Sequence, residues 1–252
     1  HAAPCFVLKR VSHYAHSTAR RSPAPAATAG SAILGRTGQA ARQAAAADSA
    51  PATAQAGAQQ IPQFKADPTW PKLPEKWVFG QVSSISIDEN GHAWVLQRPS
   101  SVREDQKDKA APPVLEFDEA GNFIQGWGGP GQGYDWPETE HGVYADPRGF
   151  IWVGGNGETD DHLVKFTKDG KFVMQIGKKG ASKGNKDTDN VKQAADIFYY
   201  AKTNELFVAD GYGNKRVIVF DGDSGKYKRM WGAFGNEPLD VVPEPPRSEE
   251  HT

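Results

Sequence analysis

Cysteine is almost missing from this chain: Cys5 is the only one in 252 residues. That excludes an internal disulfide framework, cysteine-built zinc sites and CxxC redox chemistry. No apolar run reaches the ~18 residues of a membrane helix. Neither charge sign is in excess, with 29 Lys and Arg against 31 Asp and Glu, so the basic footprint of a nucleic-acid binder is absent. Long amphipathic helical patterns are scarce too. What is present instead is 27 Gly, 18 Pro and 7 Trp, the composition of a turn-rich β protein.

Charge and composition split the chain. Residues 1–60 hold 20 Ala, six Lys or Arg and one acid, Asp48, while the remainder is net acidic. The first stretch has no amphipathic period able to bury anything, and it reads as a disordered leader or linker. Ala54-Gln55-Ala56 has the small residues of an export cleavage site, but the apolar core of a signal peptide does not precede it. An extracytoplasmic location, periplasmic or secreted, is the expectation. Trp70-Pro71-Lys72-Leu73-Pro74 marks a boundary, because closely spaced prolines exclude helix and favour an extended lead-in segment over 61–79.

Between about residue 80 and residue 232 one unit occurs three times. Each copy opens with two short strands around an Asn, Asp or Gly turn: 84–95, 142–153 and 196–208. An aromatic recurs in the second strand at Trp94, Trp152 and Phe207, spaced 58 and 55 residues apart. A second hairpin follows in every copy, at 114–123, 164–172 and 218–227, and each closes on Trp127-Gly128, Ile176-Gly177 or Trp231-Gly232. Period-two alternation around turn residues that tolerate positive φ is a hairpin signal. Four strands per repeat of this length define a propeller blade. The fold expected is all-β, with blades at roughly 80–128, 139–177 and 193–232. Three blades do not close a ring, since propellers typically have 4–8. The tail from Arg247 to Thr252 reads as a translated sequencing-library adaptor, so 241–252 is expected to be a disordered, non-native end of a truncated frame.

Several motif matches are decoys. Gly126-Trp127-Gly128-Gly129-Pro130-Gly131 spells G-x-G-x-x-G after a strand, but no helix can start at Pro130 to receive a pyrophosphate. The 177–184 loop lacks phosphate-loop spacing and reads as a solvated basic loop. Asn156, Glu158, Asp160 and Asp161 could offer oxygens to a structural calcium, without EF-hand spacing; the competing reading is a hydrated loop. His141 directly precedes an inner strand, which sets it at a channel mouth, although a structural histidine is the plainer reading. Tyr212 lies in the 208–216 turn, where an ordinary turn with Asp210 bonding local backbone is the alternative.

Taken in order, these elements resemble a known family. The 80–98 segment, the His141-Gly142-Val143 strand start, Ala195-Asp196-Ile197 and the turn from Asp210 to Arg216 are similar to successive elements of peptidyl-α-hydroxyglycine α-amidating lyase, a six-bladed NHL-type propeller. The resemblance spans about 150 residues, and the last turn is its most specific part. It implies that His141 is one of three histidine ligands of a catalytic zinc, that Tyr212 is the base and that Arg98 contacts the substrate. The substrate would be a carbinolamide, at the C-terminus of a peptide or in a small molecule, whose hydroxyl loses a proton as its C–N bond breaks to release glyoxylate. Zn²⁺ acidifies such a hydroxyl, and an arginine fork suits its carboxylate. Departures are also present. Gly213 replaces the family's Cys, Ala195 its Thr, and Pro99 follows Arg98 where Gly is expected; the other two histidines belong to later blades. The 252-residue chain is therefore expected to be inactive by itself. The alternative is a non-catalytic NHL scaffold that presents loops to a protein or carbohydrate partner.

Overall fold

The computed structural model describes residues 65–240. The readings of 1–60 as a leader and of 241–252 as a non-native tail lie outside the described residues. Twelve strands form three four-stranded antiparallel sheets. Blade 1 is β1 (Gln81–Ile87), β2 (Ala93–Arg98), β3 (Val114–Phe117) and β4 (Phe123–Trp127). Blade 2 is β5 (Glu140–Asp146), β6 (Phe150–Gly155), β7 (His162–Thr167) and β8 (Phe172–Gly177). Blade 3 is β9 (Asp196–Tyr200), β10 (Glu205–Asp210), β11 (Arg216–Asp221) and β12 (Tyr227–Trp231). Each sheet is a simple meander in chain order, so the expected partial NHL-type propeller is what forms. The only helices among the described residues are short 3₁₀ turns, of which Pro99–Ser101 and Glu104–Lys109 fill the β2–β3 connection. No helix among the described residues is long and apolar enough to cross a membrane.

The repeat is visible in the register. Val95 faces Leu115, Val153 faces Val164 and Val208 faces Ile218. Side chains alternate across a strand, and the consequence is that neighbours in sequence enter different cores. Trp94, Leu96 and Val114 leave blade 1 to pack with Val143, Ala145, Ile151, Val153, Val164 and Phe166 of blade 2. Trp152 and Leu163 leave blade 2 to pack with Ile197, Tyr199, Leu206, Val208, Ile218 and Phe220 of blade 3. Trp94 and Trp152 are both fully buried, and truncating either to Ala would cost ~3–5 kcal/mol.

Polar contacts fix the blade spacing. Ser84 and Ser86 on β1 accept hydrogen bonds from the amides of Val143 and Ala145 at 3.2 and 3.0 Å, tying the two inner strands together. At the far end, the Lys168 ammonium reaches back to the buried Asp88 carboxylate at 2.8 Å. Asp88 in turn accepts the Trp94 indole N–H at 3.2 Å and shapes the β1–β2 turn by accepting the Asn90 and His92 amides. Blade 3 differs from the sequence expectation at one point: Phe207, aligned with the two tryptophans, is only half-buried, because no further blade covers that face among the described residues.

Candidate functional site

The ends of β2, β6 and β10 and the start of β5 lie at the same end of the blades, and this end gathers the candidate residues. Arg98 is the last residue of β2, paired with Gln81 on β1. Its Nε donates to the Glu140 carbonyl at 2.8 Å. Its two terminal amino groups make only 3.4 Å contacts, to Gln81 Oε1 and Asn156 Oδ1. The guanidinium is thus oriented by blade 2 while its outer fork stays available to an anion.

His141 owes its position to a β-bulge. Glu140 pairs with Gly155 and Gly142 with Gly154, leaving His141 as the extra residue of β5. A bulge of this kind re-aims the side chain it carries. Burial holds the imidazole below its ordinary pKa and the nearby Arg98 charge pushes it further down, against the opposing pull of Asp196. The ring is therefore biased to the neutral form, which offers a nitrogen lone pair. Beneath it, the buried Glu140 carboxyl accepts the Trp136 indole N–H at 2.9 Å, and burial raises its pKa.

Tyr212 stands on the β10–β11 loop, exposed, with its ring edge-to-face with His141 at a centroid distance of 5.0 Å and an interplanar angle of 83°. The motif around it is a clamp. Asp210 Oδ2 accepts Asn214 Nδ2 and Arg216 Nε, both at 2.8 Å, and Oδ1 accepts the Lys192 amide at 2.8 Å. Arg216 then donates to the carbonyls of Asn185, Asp187 and Asn190, stitching the β8–β9 connection to blade 3. Asp210 thus bonds side chains as well as backbone, which goes beyond the ordinary-turn reading. Gly213 also has a local reason: a Cβ there would meet Lys192 Cγ at 2.4 Å.

Arg98, His141 and Tyr212 come from blades 1, 2 and 3 in turn, and the structure brings them to one place. A guanidinium fork, a neutral imidazole and a phenol can together hold a carboxylate and accept a proton. The sequence reading missed Glu140 and Asn156 as anchors of Arg98, and Asp196 as a charge facing His141. Only the adjacency of Glu140 to His141 could have signalled any of these.

The loop considered for calcium is not the hydrated loop of the competing reading, and one of its buried oxygens, Asp161 Oδ1, has no hydrogen-bond partner among the described residues. Asp160 and Asp161 are buried rather than hydrated. The Asp160 carboxylate is used by the amides of Glu138, Thr139 and Gly157, and Asp161 Oδ2 by that of Ser182. The described residues hold one cluster with three donors within 4.8 Å of one another, Asp88, His92 and Glu116. It lies at the opposite end of β1 and β2 from Arg98. Lys168 and Trp94 occupy Asp88, and Gln125 occupies Glu116. A catalytic zinc usually takes three protein ligands, and no such group forms around His141 among the described residues, so these residues alone do not fit the metal that the resemblance implies.

Comparison with known proteins agrees with the repeat architecture. No family model matches the chain. It is 28% identical over 173 residues to NHL repeat-containing protein 3 of Mus musculus, covering 64% of this chain and 44% of that protein. The Homo sapiens protein of the same name is 27% identical over 171 residues, with the same coverage. A probable peptidyl-alpha-hydroxyglycine alpha-amidating lyase of Caenorhabditis elegans, pgal-1, is 27% identical over 176 residues, covering 65% of this chain and 48% of that protein. The chain spans about half the length of the curated relatives it matches. It is thus similar to NHL-repeat proteins, one of them a probable amidating lyase, and its fold is a partial NHL-type propeller.

Proposed function

We propose that Arg98, His141 and Tyr212 form part of an amidating-lyase-like site within a six-bladed parent propeller working outside the cytoplasm. The substrate is a C-terminal α-hydroxyglycine or a related carbinolamide. The observation that carries this reading is the convergence of three residues from three blades, with His141 and Tyr212 in ring contact at 5.0 Å and Arg98 anchored through Nε alone by a short bond.

The chemistry assigned to these side chains balances. Arg98 binds the substrate carboxylate through its two terminal amino groups, exchanging their long contacts to Gln81 and Asn156 for a charge-assisted pairing. Tyr212 receives the proton of the carbinol hydroxyl and passes it on to the departing nitrogen. The oxygen electron pair forms the C=O bond of glyoxylate as the C–N bond breaks, and the departing nitrogen takes up a proton to give the amide. His141 presents a neutral nitrogen to the same space. The chain alone is expected to bind substrate without turning it over, since the metal's ligand set is not completed by the described residues.

The test is calorimetric titration of the chain with a peptide ending in α-hydroxyglycine, beside the same peptide ending in an amide. Carboxylate-dependent binding that falls about ten-fold or more in Arg98→Ala, and not in Arg103→Ala, is expected. Equal binding of both peptides, or none, overturns the reading. A non-catalytic scaffold is the second reading. It is favoured by His141 being the one histidine at the site among the described residues and by the exposure of Tyr212, and the same titration would then give no response to either peptide.

A further inference from the structure

The connection from β8 to β9, residues 178–195, lies at the end of the blades that holds Arg98. It carries Lys178, Lys179, Lys183, Lys186 and Lys192 against two acids, Asp187 and Asp189. Lys215 joins them from the β10–β11 loop.

In sequence this is a solvated basic loop, yet its backbone is bound to what lies beneath. The Lys178 amide donates to Asn190 Oδ1 at 2.9 Å, the Ser182 amide to Asp161 Oδ2 at 2.8 Å and the Lys183 amide to Asp187 Oδ2 at 2.9 Å. The Lys215 amide donates to Asn185 Oδ1, which ties the two loops together. Arg216 holds three carbonyls of the same connection from below. Asp187 is thus turned inward and buried, and it does not neutralise the lysines above it.

Some of the ammonium groups are already engaged. Lys186 pairs with Glu237 at 2.8 Å, Lys192 lies 3.7 Å from Asp161, and the charge of Lys179 bears on Asp135 and Glu138. Lys178, Lys183 and Lys215 are exposed and form no salt bridge among the described residues. Three unneutralised cations therefore stand on a fixed backbone, so a bound anion has little of the loop left to order.

This surface borders the candidate site. The Lys192 amide donates to Asp210 at 2.8 Å, and a Cβ on Gly213 would meet the Lys192 stem, so both neighbours of the Tyr212 loop rest on the lysine-bearing connection. A ligand with its carboxylate on Arg98 of blade 1 and its carbinol at Tyr212 of blade 3 points its acyl side past Tyr212 and onto these lysines.

We propose that Lys178, Lys183 and Lys215 bind acidic side chains of a peptide, close upstream of the end held by Arg98. This rests on the site reading given above and adds a substrate class to it: peptides with Glu or Asp shortly before a C-terminal α-hydroxyglycine.

Calorimetric titration of the whole chain tests this with two peptides ending in α-hydroxyglycine, one with Glu upstream and one with Gln. The Glu peptide is expected to bind about five-fold or more tighter at low salt, with the ratio shrinking as salt rises. Lys183→Gln/Lys215→Gln should abolish the ratio. Lys202→Gln/Lys226→Gln removes the same charge at the opposite end of blade 3 and should keep it. Arg98→Ala should weaken both peptides alike and leave the ratio unchanged. Equal affinity for the two peptides, no binding of the Glu peptide, or a ratio that survives Lys183→Gln/Lys215→Gln overturns the proposal. So does a ratio lost equally in Lys202→Gln/Lys226→Gln, or a single-stranded oligonucleotide of equal charge that displaces the Glu peptide at lower concentration. The same two peptides with amide ends separate the two readings. A Glu preference that persists there, with no gain from the hydroxyglycine end, overturns the Arg98 site and not the lysine surface.

Discussion

Asp210 and Arg216 meet at 2.8 Å with both side chains fully buried, and Tyr212 rides on the loop that this pair closes. The carboxylate has no solvent to help it; it is satisfied by Arg216, Asn214 and the Lys192 amide. Three residues of the turn motif are thus framework, and one is presented. The framework also reaches beyond its own blade, because Arg216 holds three carbonyls of the β8–β9 connection.

Breaking that pair from one side strands a charge. Asp210→Ala is expected to lower stability by ~3–5 kcal/mol, read from urea unfolding. Arg216→Lys should recover little of what Arg216→Ala loses, because one ammonium cannot reproduce the planar fork. A loss below about 1 kcal/mol for Asp210→Ala would show that the clamp is not structural.

Stability should fall as pH drops below 6.5. His162 is buried, its Nε2 donating to the Asp135 carbonyl at 2.9 Å while Nδ1 has no partner. Burial lowers its pKa from 6.5, outweighing the pull of Asp135 and Asp160. The unfolded chain therefore binds the proton first, so the stabilisation is complete above 6.5 and is lost as pH falls toward the folded value. His141 has the same sign. Urea midpoints at pH 7.5 and 5.5 measure it: the lower pH should give the lower midpoint, with a smaller gap in His162→Gln. A midpoint that rises on acidification contradicts this.

Two turn glycines separate backbone strain from packing. Gly91 and Gly170 have φ of 79° and 80°, but a Cβ on Gly91 meets open space and one on Gly170 meets Trp127. Gly91→Ala should cost about 1–2 kcal/mol, the penalty of a left-handed residue. Gly170→Ala should cost ~1–3 kcal/mol more, because the blade-1 tryptophan must shift. Equal losses in thermal unfolding would mean that Trp127 does not bear on the turn.

The blades were legible because β alternation and turn residues are local signals, and they recur at 84–95, 142–153 and 196–208. The candidate residues Arg98, His141 and Tyr212 were legible only through order and motif resemblance. Their shared location depends on the bulge at His141, a register slip between two strands that no single strand encodes. Asp160 and Asp161 look like a wet acidic loop in sequence, yet both are buried, and the amides of Glu138, Thr139 and Ser182 fold in from elsewhere to bond them. Trp70 reads as the start of an extended lead-in, and its place over Gly121 arises from the chain folding back onto blade 1. Phe207 matches Trp94 and Trp152 in the repeat but not in burial, since burial there depends on the next blade.

The most direct test of a shared site is the titration of His141 itself, followed by NMR through its ring protons. The account predicts a pKa below 6.5 that rises in Arg98→Ala, because removing a neighbouring positive charge favours the imidazolium. It also predicts that N-acetyl-α-hydroxyglycine moves the His141 and Tyr212 ring signals together in the unaltered chain, and not in Arg98→Ala. A His141 that titrates at or above 6.5 with and without Arg98, and whose signals ignore the ligand, would contradict it.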